Sequence, residues 1–420
     1  MMKSKTNTDK VKSIVNLMIP WYQKNARDLP WRRKPYCDDP YCVFVSEIML
    51  QQTQVKTVIP FWNRWMQELP TIEAAAAASP DKLHKLWEGL GYYTRVRNLQ
   101  KAAQQIVNSS RSRGDEAQTK IGNRKLEIGN ELETPHVVSY KFPEKFEEVL
   151  ALPGIGRYTA GAICSIAFNQ PTPILDGNVI RVLTRLFGIA ENPKEKETNA
   201  RLWQLAEQLV QEAHTSRWGE RPREPDFGRQ RRTAARGDAR PTNCSFLNQS
   251  LMELGALICT PRNAQCLICP VKKLCVAFKE CRVDELPNLG KRETATARHF
   301  LAFAVECDGK FLFQQRPAGV VNAHLWEFPN VEITGTKPNA AAAFQKLFGV
   351  KPKKIHPLRT VKHSITRYRI TLEAFSISLA KRPAKSNGRW LAPDEFDSLA
   401  FSSAHKKLAS AAAKSILSGR

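Results

Sequence analysis

The sequence predicts a multidomain fold in which a large all-α region precedes a smaller α+β domain. Apolar residues recur at helical spacing over most of residues 10–280, whereas runs with period-two alternation appear only beyond residue 296. The chain has 420 residues, which suits two or three domains of roughly 150 residues each. We therefore expect a helical region at 1–280, a linker at 281–296 and a second domain at 297–420.

The charge balance restricts the classes of partner. The chain carries 64 Lys and Arg against 40 Asp and Glu, a formal net charge of +24. This surplus points to a polyanion, with nucleic acid the leading candidate, although a surface charged only for solubility would give the same count. A hydrophobic content of 42% excludes wholesale disorder, and no apolar run approaches the ~18 residues of a membrane span. The first residues lack the apolar stretch of a secretory signal, so export is not expected.

The helical region is interrupted twice. Its periodicity is clear at Val11, Ile14, Val15 and Met18 and again around Leu83. Residues 109–140 lose the apolar period, and residues 214–243 hold eight Arg against four acids. We expect both stretches to be exposed insertions.

Four of the ten cysteines crowd into 17 residues with the spacing Cys259-x6-Cys266-x2-Cys269-x5-Cys275. A cytosolic chain rarely keeps disulfides, so such a cluster predicts a metal site. Zinc also accepts four cysteines, but zinc ribbons usually present two separated C-x2-C pairs. Iron–sulfur cubanes accommodate irregular spacing of this kind, so we favour an iron–sulfur cluster and keep zinc as the alternative. Lys272 and Lys273 in the same loop would present cations to phosphate.

The segment LPGIGRYTAGAI at 152–163 predicts a tight turn that opens a helix. Backbone amides at such a helix N-terminus can bind a phosphate without reading the base sequence. Gly154, Gly156 and Arg157 are therefore candidate DNA contacts. The alternative is an ordinary connection between two helices.

Glu47 has apolar neighbours on nearly every side of its helix, in YCVFVSEIMLQQTQV. Burial disfavours the charged form of a carboxyl group and raises its pKa, which suits a general acid or base near neutral pH. The alternative is a glutamate at the core edge that pairs with an arginine. The glutamines that follow, Gln52 among them, have amides that can wedge into a duplex or read base edges.

Asp176 stands before a helix in PILDGNVIRVLTRLFG, where an aspartate is most often a cap. It could also be a fixed anion beside developing positive charge, and the two roles are compatible. Asn178 could cap the same helix or bind a substrate phosphate. A buried carboxylic acid and an ionised aspartate form the pair that cleaves a glycosidic bond through an oxocarbenium-like state.

Taken together, SEIMLQQTQV, GLGYYTRVRNL, LPGIGRYTAGAI, ILDGNVIRV and the cysteine spacing resemble the helix-hairpin-helix DNA glycosylases, specifically the adenine-specific MutY type. The likeness covers 10–107 and 144–280. It implies removal of adenine mispaired with 8-oxoguanine or guanine in duplex DNA, after the adenine leaves the stack. It also implies a monomer that binds no membrane and lies with the nucleoid in a bacterial cytoplasm.

The resemblance implies roles for individual residues. Glu47 would protonate adenine at N7 and then help water attack the sugar, while Asp176 would stabilise the oxocarbenium ion or form a covalent adduct. The other assignments are these: Tyr158 and Asn178 complete the catalytic site, Gln52 and Tyr92 probe or intercalate beside the lesion, and Cys259, Cys266, Cys269 and Cys275 hold a 4Fe–4S cluster.

Two other interpretations remain open at this point. One is another glycosylase of the same fold, and the other is a non-catalytic iron–sulfur protein that binds DNA. The endonuclease-III type carries a nucleophilic lysine at the position of Tyr158, and a Schiff base requires an amine. We therefore expect a monofunctional glycosylase with little strand-cleaving lyase activity.

Residues 296–420 resemble the Nudix-like domain that ends this family, through QQRPAGVVNAHLWEFPN and the strand pattern. A working Nudix hydrolase needs a Glu-rich helix for magnesium, but the corresponding NAAAAFQKLFGV contains no acid. A recognition domain is therefore expected. The best match to the family's Phe-Ser-His loop is Ile365-Thr366-Arg367, where Thr366 would donate to the lesion base and Arg367 would bind phosphate or guanine. An ordinary exposed strand turn is the alternative.

Overall fold

The computed structural model describes residues 2–121, 140–216, 243–290, 294–334, 339–365 and 367–417. The chain forms two compact units. The first comprises Met1–Ala76 and Leu99–Lys291, and the second comprises Ala77–Asn98 and Arg292–Arg420. A helical part followed by a mixed α and β part is the architecture that the sequence predicts. No helix within the described ranges is both long and apolar enough to cross a bilayer.

The first twelve helices follow one another without a strand among the described residues up to 290. They are α1 Met2–Asn25, α2 Pro40–Leu50, α3 Val55–Glu68, α4 Ile72–Ala77, α5 Pro80–Leu86, α6 Thr94–Ile121, α7 Phe146–Leu150, α8 Arg157–Ala167, α9 Gly177–Phe187, α10 Lys196–Thr215, α11 Asn243–Leu257 and α12 Val276–Lys279. Helix α11 packs against α1, α8, α9 and α10. Their apolar faces share one core, which includes Ile14, Met18, Val182, Leu209 and Leu251. This core fixes the N-terminal ends of α8 and α9.

Helix α8 approaches the chain closely at Gly161. A Cβ atom there would lie 2.2 Å from the backbone oxygen of Pro173, a contact that only a shift of the backbone can relieve. Gly161→Ala is therefore expected to lower the free energy of unfolding by about 1–3 kcal/mol. Gly156→Ala is the matched control, because a Cβ atom at Gly156 meets nothing within 4 Å. Thermal melts of both variants check this, and an unchanged melting temperature for Gly161→Ala would contradict it.

The described part of the second unit contains a sheet of seven strands: β1 Thr296–Cys307, β2 Lys310–Gln315, β3 Trp326–Glu327, β4 Asn330–Ile333, β5 His356–Ile365, β6 Tyr368–Ser378 and β7 Arg389–Leu391. The main order is β3-β2-β1-β6-β5, with β4 paired to β1 and β7 to β2. Strands β1 and β6 run parallel. Helices α13 Ala340–Phe348 and α14 Ser403–Leu417 accompany the sheet, and α5 and the first residues of α6 belong to the same unit.

Strand β1 shows why the period-two pattern marks a strand. Its alternate residues Ala302 and Ala304 belong to one core, which also holds Leu408 of α14. Leu301, Phe303 and Val305 belong to a second core, which also holds Phe344 of α13. Because successive side chains point to opposite faces, one strand contributes to both cores.

The compact units are not divided at the predicted domain limits. Residues 77–98, predicted in the helical region, group with the second unit, in which Glu88 and Tyr93 bond to Phe401. Within the predicted linker, Leu286 is 3% exposed and its carbonyl accepts a hydrogen bond of 2.8 Å from Arg185. Both features depend on contacts with residues distant in the chain.

The first predicted insertion is helical at its start. Helix α6 continues to Ile121, so residues 109–121 of the predicted insertion are helical. This stretch, SSRSRGDEAQTKI, holds no proline and only one glycine, a composition that an α-helix tolerates. Residues 122–139 and 217–242 lie outside the described residues.

Candidate active site

A pocket of about 650 Å³ opens in the first unit beside α2, α8, α9 and α11. Five of the predicted site residues line it: Glu47, Gln52, Tyr158, Asp176 and Asn178. They come from segments that are up to about 130 residues apart in the chain, so the helical core brings them together. The pocket therefore brings together the residues on which the predicted chemistry depends.

Glu47 lies on α2, whose residues from Tyr41 to Met49 are all buried. Its side chain accepts a hydrogen bond of 2.8 Å from the Tyr158 hydroxyl group. Burial raises the pKa of Glu47 to about 7, the bond from Tyr158 lowers it and the charge of Asp176 raises it. The buried glutamate therefore has a phenol as its partner, and it can hold or release a proton near neutral pH.

Asp176 is the N-cap of α9, as its sequence position predicts. One carboxylate oxygen accepts from the Val179 amide at 2.7 Å, and the other accepts from the Asn178 side chain at 2.8 Å. Burial raises the pKa of Asp176, while these two bonds and the charge of Arg181 lower it. Asp176 thus combines the cap with a place in the pocket, and Asn178 orients its carboxylate.

Two buried arginines on α9 extend this arrangement, and sequence reasoning missed both. Arg181 donates to the Asn178 side chain at 2.9 Å and to the backbone oxygen of Cys259 at 2.7 Å. Arg185 donates to the Thr260 oxygen at 2.7 Å. Through these two arginines, helix α9 connects the part of the pocket that holds Asn178 and Asp176 to the loop that begins at Cys259. The available signal was the pair of arginines four residues apart in an otherwise apolar run.

A buried ion network forms another part of the pocket wall, and it was also missed. Glu253 on α11 is fully buried and pairs with Arg27 at 2.8 Å and Arg32 at 3.0 Å. Burial raises the pKa of Glu253, but the hydrogen bonds from Arg27 and Arg32 outweigh it and lower the pKa to about 2. Glu253 is therefore a permanent anion in the wall. Its signal in the sequence was a lone acid in the apolar run SLMELGALI.

The turn before α8 has the features that a phosphate contact requires. Gly154 takes φ of +76°, which favours glycine, and no side chain caps the N-terminus of α8 at Gly156. The Arg157 guanidinium lies 4.0 Å from the centre of the Trp203 ring. Gly154, Gly156 and Arg157 are all exposed, so the backbone amides of the turn and the guanidinium of Arg157 can meet an anion from solvent.

The four clustered cysteines lie on one loop after α11, and all four are half-buried. Burial, together with the charges of neighbouring thiolates in the set, raises the pKa of Cys266, Cys269 and Cys275. An N–H of Arg185 points to the Cys259 sulfur at 3.4 Å. No group of three or more His, Cys, Asp or Glu within the described ranges is arranged closely enough to hold a metal ion. The donor set itself, four thiols with a guanidinium beside one of them, has the chemistry that suits an iron–sulfur cluster.

The remaining predicted residues fall on turns. Gln52 is exposed at the pocket with φ of +56°. In the second unit, Tyr92 is 42% exposed with φ of +50°. Ile365 and Tyr368 pair at the end of the β5–β6 hairpin, which places Arg367 in its turn. Thr366 lies outside the described residues.

Two family models match the chain. The first, HhH-GPD superfamily base excision DNA repair protein, matches residues 45–208, and the second, NUDIX domain, matches residues 301–411. A solved structure of a thermostable thymine-DNA glycosylase aligns with 66% of this chain and 99% of that chain, at 24% identity and a TM-score of 0.46.

Curated relatives cover most of the chain. The adenine DNA glycosylase of Mus musculus is 32% identical over 93% of this chain and 76% of that protein. The adenine DNA glycosylase of Homo sapiens is 32% identical over 93% of this chain and 72% of that protein. That of Buchnera aphidicola subsp. Schizaphis graminum (strain Sg) is 31% identical over 75% of this chain and 74% of that protein. Since this similarity spans both the helical and the Nudix-like parts, the chain belongs to the adenine DNA glycosylase family.

Proposed function

We propose that this chain is a monofunctional DNA-repair glycosylase that removes adenine mispaired with 8-oxoguanine or guanine from duplex DNA. One observation carries the proposal: Glu47, whose pKa is raised to about 7 by burial, shares a pocket with the capped carboxylate of Asp176. The relatives carry the name adenine DNA glycosylase, which supports the removal of adenine from DNA.

The reaction proceeds by acid-assisted cleavage of the glycosidic bond. Protonated Glu47 gives its proton to N7 of the extruded adenine, which makes the base a neutral leaving group when the C1′–N9 bond breaks. Asp176 stabilises the positive charge that develops on the sugar. Glu47, now ionised, accepts a proton from the water that attacks C1′. The products are free adenine and an abasic site.

The hydrogen bonds around both acids suit these roles. Tyr158 donates to the ionised form of Glu47 and therefore opposes the burial that would otherwise raise its pKa further. Asn178 and the Val179 amide fix the Asp176 carboxylate, and Arg181 fixes Asn178. Groups held in this way need little reorganisation when charge develops.

We expect the enzyme to lack efficient lyase activity. The described residues that line the pocket include no lysine, and the hydroxyl group of Tyr158 bonds to Glu47. Without an amine at C1′, no Schiff base forms, so borohydride should trap at most a trace of enzyme–DNA crosslink. A glycosylase with a lysine nucleophile serves as the positive control. Efficient trapping under conditions that trap the control would contradict the monofunctional assignment.

We further propose that Cys259, Cys266, Cys269 and Cys275 hold a 4Fe–4S cluster. When bound, the cluster would cross-link the loop, so that Lys272 and Lys273 face DNA phosphate; a redox role is not required. Metal analysis of the purified protein should give about four iron atoms per chain. About one zinc ion per chain would support the alternative site.

DNA contacts are proposed in both units. Gly154, Gly156 and Arg157 would bind phosphate, Gln52 and Tyr92 would enter the duplex, and Arg367 with Thr366 would read the lesion strand. The monomeric state and the cytoplasmic location stay predictions. The bacterial source also stays a prediction, since the relatives come from animals as well as bacteria.

A further inference from the structure

The turn that carries Tyr92 belongs to the same compact unit as the C-terminal domain, although about 200 residues separate them in the chain. We propose that Glu88 is a positioning residue that joins this turn to the C-terminal residues Phe401 and Lys406, and thereby presets Tyr92 for insertion into DNA. The inference rests on the proposed function, in which Tyr92 intercalates beside the lesion. Residues 88–93 are called the wedge turn below.

Glu88 makes the central contacts. Its side chain is 6% exposed. One carboxylate oxygen accepts from the Phe401 amide at 3.0 Å, and the other accepts from Lys406 at 2.7 Å and Lys85 at 3.0 Å. A carboxylate that is nearly removed from water and bonded to two ammonium groups and one amide is a rigid connection. It therefore links the wedge turn to Lys406 on α14 and to Phe401, which lies two residues before that helix.

Other bonds hold both ends of the wedge turn. The Tyr93 hydroxyl group donates to the Phe401 oxygen at 3.4 Å and accepts from the Gly89 amide at 3.3 Å. The Gly91 oxygen accepts from Trp87 at 3.0 Å and from Arg95 at 3.1 Å. Just beyond the turn, Arg97 donates to the Ala323 oxygen at 2.9 Å. The backbone around Tyr92 is therefore fixed from several sides while its ring stays exposed.

The backbone conformation shows why such support is needed. Gly89, Gly91 and Tyr92 take φ of +112°, +73° and +50°. The two glycines adopt this conformation readily, whereas a left-handed backbone is unfavourable for a tyrosine. A residue keeps such a conformation only where its surroundings determine it. Glu88 supplies part of that support, and so do Phe401 and Lys406 through their bonds to the wedge turn.

The fixed conformation of the wedge turn affects how Tyr92 enters the duplex. A preset Tyr92 enters the duplex without first losing conformational entropy, whereas a loosened turn must be ordered in the same step. Because the proposed lesion-reading turn at Arg367 lies in the same unit, reading of the lesion and insertion of Tyr92 would both depend on this second unit. Loosening the wedge turn should then weaken insertion without removing the acid chemistry of Glu47.

The test compares Glu88→Gln with Glu148→Gln, a matched control. Glu148 is exposed on α7 of the first unit, and its substitution makes the same change in net charge. The full-length protein is mixed with a duplex that carries 8-oxoguanine opposite adenine and a fluorescent base analogue beside the lesion. For Glu88→Gln we expect roughly 5- to 10-fold slower single-turnover release of adenine and a smaller fluorescence change on binding, as pre-organisation is lost. The control should match the wild type.

A double-mutant cycle separates positioning from general damage. Once Tyr92→Ala has removed the inserted ring, Glu88→Gln should cause almost no further loss of rate. In the free protein, Glu88→Gln should also speed hydrogen exchange of the amides at 89–93, and Lys406→Ala should reproduce part of this effect. An equal fold-loss in the Tyr92→Ala background, or unchanged exchange, would overturn the inference. Failure of the proposed function would show differently, as no release of adenine by the wild type.

Discussion

Replacement of Glu47 with glutamine is expected to slow the release of adenine by roughly 10²–10⁴-fold, because glutamine cannot donate the proton that the leaving base needs. The variant should still fold, since an amide fills nearly the same space and can accept the bond from Tyr158. Single-turnover assays of released base check this directly. Release at the wild-type rate would remove Glu47 from the catalytic step.

The same substitution should make the protein more stable at neutral pH. Burial raises the pKa of Glu47 from 4.5 to about 7, so the folded protein binds the proton more tightly than the unfolded chain does. The stability that this proton contributes is complete below pH 4.5 and is lost as the pH rises through about 7. Glutamine carries no such dependence, so above pH 7 the variant should gain up to ~3 kcal/mol in free energy of unfolding. Denaturant melts at pH 5 and pH 8 measure the difference, and a gain equal at both would contradict it.

Replacement of Asp176 with asparagine is expected to slow the release of adenine by roughly 10²–10³-fold while the fold is kept. Asparagine caps a helix about as well as aspartate does, so α9 keeps its N-terminus and only the anion is lost. Asp176→Ala is the comparison, because it also removes the cap and should cost about 1 kcal/mol more in free energy of unfolding. Comparable activity of Asp176→Asn and the wild type would show that the charge is not needed.

Asp176→Asn has a second expected effect, on the pH dependence of the rate. The charge of Asp176 raises the pKa of Glu47. Without this charge the pKa of Glu47 falls, so the fraction of protonated acid declines at lower pH than in the wild type. As the pH rises, the residual activity of the variant should therefore begin to fall at a lower pH than the activity of the wild type. An unshifted pH profile would indicate that the two acids do not interact, and an upward shift would contradict the sign of the interaction.

The sequence was most informative where one local pattern decides the structure. Helical spacing, the period-two strands and the cap at Asp176 depend on neighbours in the chain. Glu47 was also recognisable, because a lone carboxyl group in an apolar helix has few places to lie except in the core or a pocket. The convergence of Glu47 with Tyr158 and Asp176 was expected from the resemblance and is present in the fold.

The sequence was least informative where distant residues decide the structure. The pairing of Glu253 with Arg27 and Arg32 joins positions more than 200 residues apart. The grouping of residues 77–98 with the C-terminal unit depends on contacts such as that of Glu88 with Phe401. Neither polar side chain shows its partner in a local pattern. Identification of such pairs requires the folded chain.

In the proposed reaction the pocket uses Glu47 as an acid to remove adenine from its mispair. The measurement that tests it most directly is single-turnover release of free base, identified by chromatography, across a panel of mispairs and from pH 5 to pH 9. We predict free adenine from duplexes with 8-oxoguanine or guanine opposite adenine, at a rate that falls as the pH rises through about 7, the pKa to which burial raises Glu47. Release of a different base, no release from either duplex, or a rate that rises through the same pH range would contradict the account.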